Sequence, residues 1–295
     1  MAIPNRIKNY TNKYAFVDGI SFKLPVGATE SPALMAAFEC DYEAAAQLMP
    51  SEIHPVKLFN GKAVFIVTII DYRKTSIGKY VEYSLALACT RGAKPAPRML
   101  PAVFMKWYKT GQFILDLPVS SEISVKGGKG IWGMPKHKAN LDFLIGENTV
   151  TSTYEKDGKF AFRIEMKRPK SPTLKLKIGS VNYSHFRNMV IASYIYFNSK
   201  ASINFLKAAQ AKLYIGDHPR MDRLKTLNIN PKALFTAFLP SSTGTLDDHF
   251  ECWFATYDKP EMNESEGLET VYGLSNSEEW LAPPSITDFE KFLVK

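Results

Sequence analysis

A group of basic side chains, Lys136, His137 and Lys138, directly follows a glycine-rich segment that runs from Lys126 to Gly133. An amine attacks a carbonyl carbon only in its neutral form, and free lysine has a pKa of about 10.4. Burial in an apolar pocket and a second cation nearby both disfavour the ammonium form. The grouping therefore suggests a nucleophilic lysine that forms an imine, or Schiff base, with a carbonyl compound.

The elements that must position this segment are mainly predicted strands. Two long strands, 62–72 and 79–89, are joined by a turn at Gly78, and Asp157-Gly158 is a hairpin signal between strands 149–156 and 159–167. Alternation along the second strand predicts that Tyr80, Glu82 and Ser84 share the interior face, opposite Lys79, Val81 and Tyr83. Further strands are predicted at 33–40, 101–108, 122–126, 139–146, 224–229 and 233–240, with mixed helical and extended character at 186–214.

Helices are predicted only at the periphery. Asp41 is a helix N-cap before an alanine-rich run that stops at Pro50, and Thr287 to Glu290 is a capping box. The predicted fold is mainly β (α+β): an antiparallel sheet closed into a barrel with a few peripheral helices. We expect an N-terminal extension over 1–30 and a single domain over 31–295.

Composition argues against several classes of protein. The 295-residue chain has a net charge of +8, but its lysines are scattered, so neither nucleic acid nor membrane is an expected partner. The three cysteines lack metal or disulfide spacing, and the histidines show no H-x-x-H pattern, so no metal site is expected. The N-terminus lacks an apolar signal-peptide core, which favours a cytoplasmic protein.

Three segments resemble the acetoacetate decarboxylase-like family. The segment 130–139, GIWGMPKHKA, is similar to the family's active-site loop, in which Pro-Lys-Lys carries the imine-forming lysine. The segment 76–82, SIGKYVE, resembles the family's Gly-x-Tyr-x-Glu strand. The segment 218–227, HPRMDRLKTL, resembles a Pro-Arg segment that leads into a late strand. Their order and approximate spacing are kept over residues 30–250.

The resemblance implies a Schiff-base carboxy-lyase. Lys136 matches the imine-forming lysine and Glu82 the pocket glutamate. The other residues expected in the substrate pocket are Val67, Arg73, Tyr80, Trp132, Met134, His137 and Lys138. Acetoacetate decarboxylase is itself a known example of a lysine activated by desolvation and a second cation. The implied substrate is acetoacetate or another small anionic oxo acid, no cofactor is required, and a homo-oligomer is expected.

Three positions depart from the family pattern. His137 stands where decarboxylases have a second lysine, and Ser31 and Val67 stand where they have an arginine and a further acid. Lys138 is a candidate for the missing cation, because alternate residues of an extended segment share a face. Arg73, which has the same strand parity as Val67, is a candidate replacement for the arginine. His137 is expected to influence Lys136 only when protonated.

Two alternatives stay open. The same imine chemistry serves an aldolase or dehydratase that acts on an oxo acid. A non-catalytic barrel that binds small molecules would keep the fold and form no imine.

Overall fold

The computed structural model describes residues 4–9, 12–169 and 174–256. Within them the helices are short, with the longest beside the lysine group. They are α1 (Asn5–Asn9), α2 (Tyr42–Gln47), α3 (Leu100–Val103), α4 (Glu122–Trp132) and α5 (Asp222–Lys225), with 3₁₀ turns at Leu206–Ala208 and Pro219–Met221. No helix in this part of the chain is long and apolar enough to cross a membrane.

Strands make up most of the described chain. In order they are β1 (Lys13–Val17), β2 (Ile20–Leu24), β3 (Val26–Cys40), β4 (Ile53–Pro55), β5 (Ala63–Tyr72), β6 (Lys74–Thr75), β7 (Tyr80–Arg91), β8 (Gly111–Val119), β9 (Lys136–Lys138), β10 (Asn140–Leu141), β11 (Leu144–Ile145), β12 (Thr149–Lys156), β13 (Lys159–Lys167), β14 (Leu174–Phe186), β15 (Met189–Phe205), β16 (Ala211–Ile215) and β17 (Ala233–Phe254). The hairpin β1–β2 lies within residues 1–30, the predicted N-terminal extension.

The largest sheet has ten strands, and seven of them are paired in a ring. The order β7-β5-β3-β17-β15-β14-β8 is completed by pairing between β8 and β7, and β9 is added beside β8. The predicted mainly β architecture is therefore confirmed. Most of its pairings are antiparallel, as predicted, and β8 pairs in parallel with both β14 and β9.

Strand alternation divides the side chains of β3, β5 and β7 between two environments. One face packs against a second, five-stranded sheet built from β10, β11, β12, β13 and β16. The core between the two sheets includes Phe38, Val67, Tyr83, Tyr154 and Phe162. The opposite face of the same strands is turned away from this core and lines a cavity.

Helix α4 replaces the strand predicted at 122–126. Ser121 caps it, because the Ser121 hydroxyl oxygen accepts a hydrogen bond from the Ser124 N–H. Gly133 ends it in the left-handed region, at φ 57°. The glycines allow close packing: a Cβ on Gly127 would lie 2.7 Å from Phe22, and one on Gly130 would lie 2.6 Å from Val17.

Two other predicted strands are wrong. Residues 101–108 form part of α3 and the turns that follow, with Pro101 in the first helical turn and Val103 and Trp107 exposed without a partner strand. Residues 224–229 begin inside α5. The mixed segment 186–214 is mainly β15. The helix predicted at Thr287 to Glu290 lies outside the described residues.

Candidate active site

The C-terminus of α4 and the short strand β9 together position Lys136. After the left-handed Gly133, the Met134 N–H donates to the Gly128 carbonyl oxygen at 3.1 Å, which turns the chain sharply into β9. The aliphatic part of Lys136 then lies against Gly128, where an added Cβ would be only 2.3 Å from Lys136 Cδ. Gly128 therefore makes room for the lysine side chain.

The Lys136 amine is buried and pairs with a carboxylate. Its Nζ lies 2.6 Å from Glu82 Oε2 and donates to the Ser124 hydroxyl at 3.0 Å. The side chains of Lys136 and Glu82 are only 6% and 13% exposed. The charged group in direct contact with the amine is thus an anion, and a carboxylate at this distance can accept the amine's proton.

Two tyrosines complete this group. Tyr72 and Tyr80 face each other across the β5–β7 pairing with ring centroids 4.6 Å apart, and the Tyr72 hydroxyl lies 3.5 Å from Glu82 Oε1. Burial, reinforced by the Glu82 charge, raises the pKa of both phenols well above the ordinary value. Both therefore stay protonated at neutral pH, and the Tyr72 hydroxyl donates to the carboxylate.

These groups lie on the wall of a cavity of about 420 Å³. Tyr80, Glu82, Ser84, Met134 and Lys136 line it, as the alternation along β7 predicted for the first three. Among the described residues that line it, Lys136 and Glu82 are the charged ones. The rest of the wall is mainly aliphatic and aromatic, and it also carries nine serine, threonine, asparagine or glutamine side chains.

His137 does not lie in the cavity, which corrects the sequence-based prediction. It follows Lys136 on the extended strand β9, so its ring lies on the opposite face. Its Nε2 is 2.8 Å from Asp116 Oδ1, which also pairs with Arg220 Nη1 at 3.3 Å. The Tyr154 hydroxyl donates to Asp116 Oδ2 at 3.3 Å. His137 therefore belongs to a buried network in the core and does not supply a second cation beside Lys136.

Other predicted pocket residues also lie elsewhere. Lys138 is exposed to solvent, and Arg73 is an exposed side chain paired with Asp71. Trp132 is buried, but it packs with Ile114 and Leu117 and donates its indole N–H to the Asp247 carbonyl oxygen at 2.9 Å. None of the three is among the residues that line the cavity.

The positions at which an arginine and a second acid were expected are both apart from the cavity wall. Val67 is fully buried on the core face of β5. Ser31 is buried, and its hydroxyl donates to the Thr29 carbonyl oxygen at 3.0 Å. On β5 the residues that reach the cavity are Thr68, Ile70 and Tyr72. No charged side chain among the described lining residues takes the place of the arginine.

Sequence reasoning missed Tyr72, Ser124 and Gly128. The sequence did carry a signal for Tyr72, because the predicted hairpin between strands 62–72 and 79–89 places it opposite Tyr80. Ser124 and Gly128 depend on the unexpected helix α4. Among the described residues, no group of three or more His, Cys, Asp or Glu side chains could hold a metal ion.

Fold and site together define a β-rich protein that encloses a lysine–glutamate pair in a mainly uncharged cavity. The family profile for acetoacetate decarboxylase (ADC) matches residues 9–194. The chain therefore belongs to the acetoacetate decarboxylase family. No curated protein matches the chain.

Solved structures agree on the fold. An acetoacetate decarboxylase from Legionella pneumophila is 14% identical, with a TM-score of 0.56 over 78% of this chain and 88% of that chain. The enduracididine biosynthesis enzyme MppR, complexed with the condensation product of pyruvate and imidazole 4-carboxaldehyde, is 12% identical, with a TM-score of 0.53 over 78% and 90%. An acetoacetate decarboxylase-like enzyme from Sphingomonas wittichii is 13% identical, with a TM-score of 0.51 over 80% and 95%. At such low identities the likeness is one of fold.

Proposed function

We propose that the protein is a Schiff-base-forming carboxy-lyase in which Lys136 attacks the ketone of a β-keto acid and carbon dioxide is released. The observation that carries this proposal is the 2.6 Å contact between Lys136 Nζ and Glu82 Oε2 in a cavity with no other charged lining residue among those described. Membership of the acetoacetate decarboxylase family supports the same chemistry.

Glu82 is the proton carrier for imine formation. It takes a proton from the Lys136 ammonium group, and the neutral amine then adds to the ketone to give a carbinolamine. Glu82 returns the proton to the carbinolamine hydroxyl, which leaves as water. The product is a protonated imine on Lys136 paired with ionised Glu82. Neutral Tyr72 donates toward the carboxylate and helps to hold its position.

The protonated imine is the electron sink for the second half of the reaction. The bond to the carboxylate carbon breaks, its electron pair moves to the imine nitrogen, and carbon dioxide leaves an enamine. The enamine takes a proton from water at carbon, and hydrolysis of the resulting imine frees the ketone and Lys136. A weakly polar cavity without a cation for the carboxylate favours loss of that charge. No cofactor enters these steps.

A second candidate is condensation, because the enamine formed on Lys136 is also a carbon nucleophile. The MppR structure holds a condensation product of pyruvate and an aldehyde. In this chain, Glu82 contacts the amine and Tyr72 contacts Glu82, so the carboxylate is placed to serve the proton transfers of an aldol or dehydration reaction.

Product analysis tests the proposal. The protein is incubated with acetoacetate and with β-ketooctanoate, each carrying a carbon-13 label in the carboxyl group, and products are followed by NMR. We expect labelled carbon dioxide and the corresponding ketone from the wild-type protein. Lys136→Met should release none above background, whereas Lys138→Met, which removes an exposed lysine two residues away, should behave as wild type.

Other results would redirect or overturn the assignment. A condensation product from pyruvate and benzaldehyde, without release of carbon dioxide from β-keto acids, would support the second candidate. Release above background that is equal in wild type and Lys136→Met would contradict the carboxy-lyase, and a condensation product formed equally by the two proteins would contradict the second candidate. No product with any of these compounds would favour a non-catalytic binding protein.

A further inference from the structure

The cavity is much larger and less polar than a small oxo acid requires. Its volume of about 420 Å³ lies within the range of roughly 300–1,000 Å³ that is typical of sites for drug-sized ligands. A water molecule occupies about 30 Å³ of liquid, so the cavity has room for on the order of a dozen groups of that size. A short oxo acid would leave most of this space unfilled.

The apolar surface is continuous with the site of the amine. Strand pairing places Ile70 directly opposite Glu82, Ala33 opposite Ile70, and Leu239 opposite Ala33, and all three line the cavity. Neighbouring strands lie about 4.8 Å apart, so this row extends about 14 Å from Glu82. An apolar chain attached to a carbonyl group at Lys136 would lie along it.

The far part of the wall is also apolar and reaches solvent. Ala237 and Ile203 continue it across the β17–β15 pairing. Met105, Ile178 and Phe205 line the cavity and are 45%, 42% and 62% exposed, so they mark its opening. Exposed apolar side chains grouped around an opening are typical of a groove that binds an apolar molecule.

We infer that the natural substrate is a carbonyl compound with a long or bulky apolar body, which lies on the Ile70, Ala33 and Leu239 row while its carbonyl group meets Lys136. The inference rests on the proposed imine chemistry for the reacting group, but the binding of the apolar body does not need that chemistry. It differs from the family resemblance, which implies a small anionic oxo acid. The charges that line the described wall are already paired with each other, so binding energy must come mainly from apolar burial.

The test uses straight-chain alcohols, because they resemble the apolar body and cannot form an imine. Butanol, hexanol, octanol and decanol are titrated into the full-length wild-type protein by calorimetry. Each methylene group that is buried should strengthen binding by about fourfold. The six methylene groups between butanol and decanol should together strengthen binding by on the order of 10³-fold, and the rise should stop at the chain length that fills the cavity. Affinity that does not increase with chain length would overturn the inference.

Variants show whether the alcohols enter this cavity. Ala237→Phe fills it from β17 and should weaken decanol binding at least tenfold. Thr243→Phe adds the same side chain at an exposed position of the same strand and should bind decanol as wild type does. Ala33→Phe, which fills the cavity from β3, is a second filling variant if Ala237→Phe does not fold. Decanol binding that neither filling variant weakens would place the alcohols on the exposed surface and would also overturn the inference.

The alcohol-binding experiment and the test of the proposed function can fail independently. Alcohol binding that depends on chain length, without imine formation, would refute the carboxy-lyase and leave an apolar binding cavity. Imine formation with acetoacetate, without alcohol binding, would leave the carboxy-lyase and refute the apolar substrate.

Discussion

Lys136 and His137 are neighbours in sequence, and each lies within 2.8 Å of a largely buried carboxylate, but the two pairs lie on opposite faces of β9. The Lys136–Glu82 pair lies on the wall of an open cavity. The His137–Asp116 pair is packed in the core, where Arg220 and Tyr154 also contact Asp116. Similar pairing chemistry thus forms a candidate reaction centre on one face and a structural network on the other. The two pairs differ because the Lys136–Glu82 pair borders space for a ligand, whereas the His137–Asp116 pair is surrounded by packed side chains.

A matched pair of charge-removing substitutions should separate the two regions most strongly. Asp116→Asn removes the buried carboxylate that His137, Arg220 and Tyr154 contact, and removing one partner of a buried ion pair costs about 3–5 kcal/mol. Glu82 lies on the wall of an open cavity, where water that enters can hydrate Lys136 after the charge is removed. Glu82→Gln should therefore lower the free energy of unfolding by less than half as much as Asp116→Asn. Urea unfolding of both variants measures the free energies.

Activity should change in the opposite order. Glu82→Gln should slow imine formation by about 10²-fold or more, because the proton carrier is lost. Asp116→Asn, assayed below its unfolding transition, should retain imine formation within a few-fold. The exposed pair Asp217–Lys225 provides a control, since Asp217→Asn should change neither quantity appreciably. Equal stability losses in the two buried variants would remove the distinction between the two regions.

Gly128→Ala should disturb the cavity site without disturbing the core. The added methyl group would occupy the position of Lys136 Cδ and displace the amine. Misplacement by about 1 Å can cost up to 10²-fold in rate, so we expect a loss of about 10- to 100-fold. Stability should change little, because alanine favours a helix over glycine by about 1 kcal/mol and offsets part of the strain.

A suitable control is Gly27→Ala in β3, where an added Cβ would meet no atom within 4 Å. It should leave both rate and stability near wild type. A full rate in Gly128→Ala would mean that close packing of α4 on Lys136 does not position the amine.

The tyrosines should give the smallest effect. Burial raises the pKa of Tyr72, on the cavity side, and of Tyr83, on the core side, well above the ordinary value. In the unfolded chain these phenols ionise near pH 10, so the unfolded state then binds fewer protons than the folded state. The free energy of unfolding should therefore fall as pH rises above about 10.

Removing one of these phenols should reduce that slope. Tyr72→Phe and Tyr83→Phe should each make the free energy of unfolding fall less steeply with pH, by at most about 1.4 kcal/mol per pH unit. Urea unfolding between pH 10 and 11 measures this slope. Between pH 7 and 9 the differences from wild type should not depend on pH. A reduced slope only in Tyr83→Phe would indicate that Tyr72 is more hydrated than the core tyrosine.

The sequence predicts elements well where local signals are strong. The Asp157-Gly158 turn and strict alternation lead to β12 and β13 with their observed bounds, and Asp41 leads to the start of α2. Helix α4 was missed because glycine disfavours helices. Its glycines are explained only by contacts with Phe22, Val17 and Lys136, which are distant in sequence or on another element.

The candidate site divides in the same way. Lys136, Glu82, Tyr80 and Met134 are on the cavity wall, where sequence placed them. Val67, Trp132 and His137 were assigned to the cavity but pack elsewhere, because a side chain's face depends on strand pairing and on the end of α4. The expected homo-oligomer stays a prediction.

Borohydride trapping tests the central claim most directly. Wild-type protein is mixed with acetoacetate, acetone or β-ketooctanoate, reduced with sodium borohydride, digested and analysed by peptide mass. The account predicts a reduced adduct on Lys136 with at least one of these compounds, its absence in Lys136→Met, and an unchanged yield in the exposed control Lys138→Met. An adduct that persists in Lys136→Met, or no adduct on Lys136 with any of the compounds, would contradict the assignment of Lys136 as the imine-forming lysine.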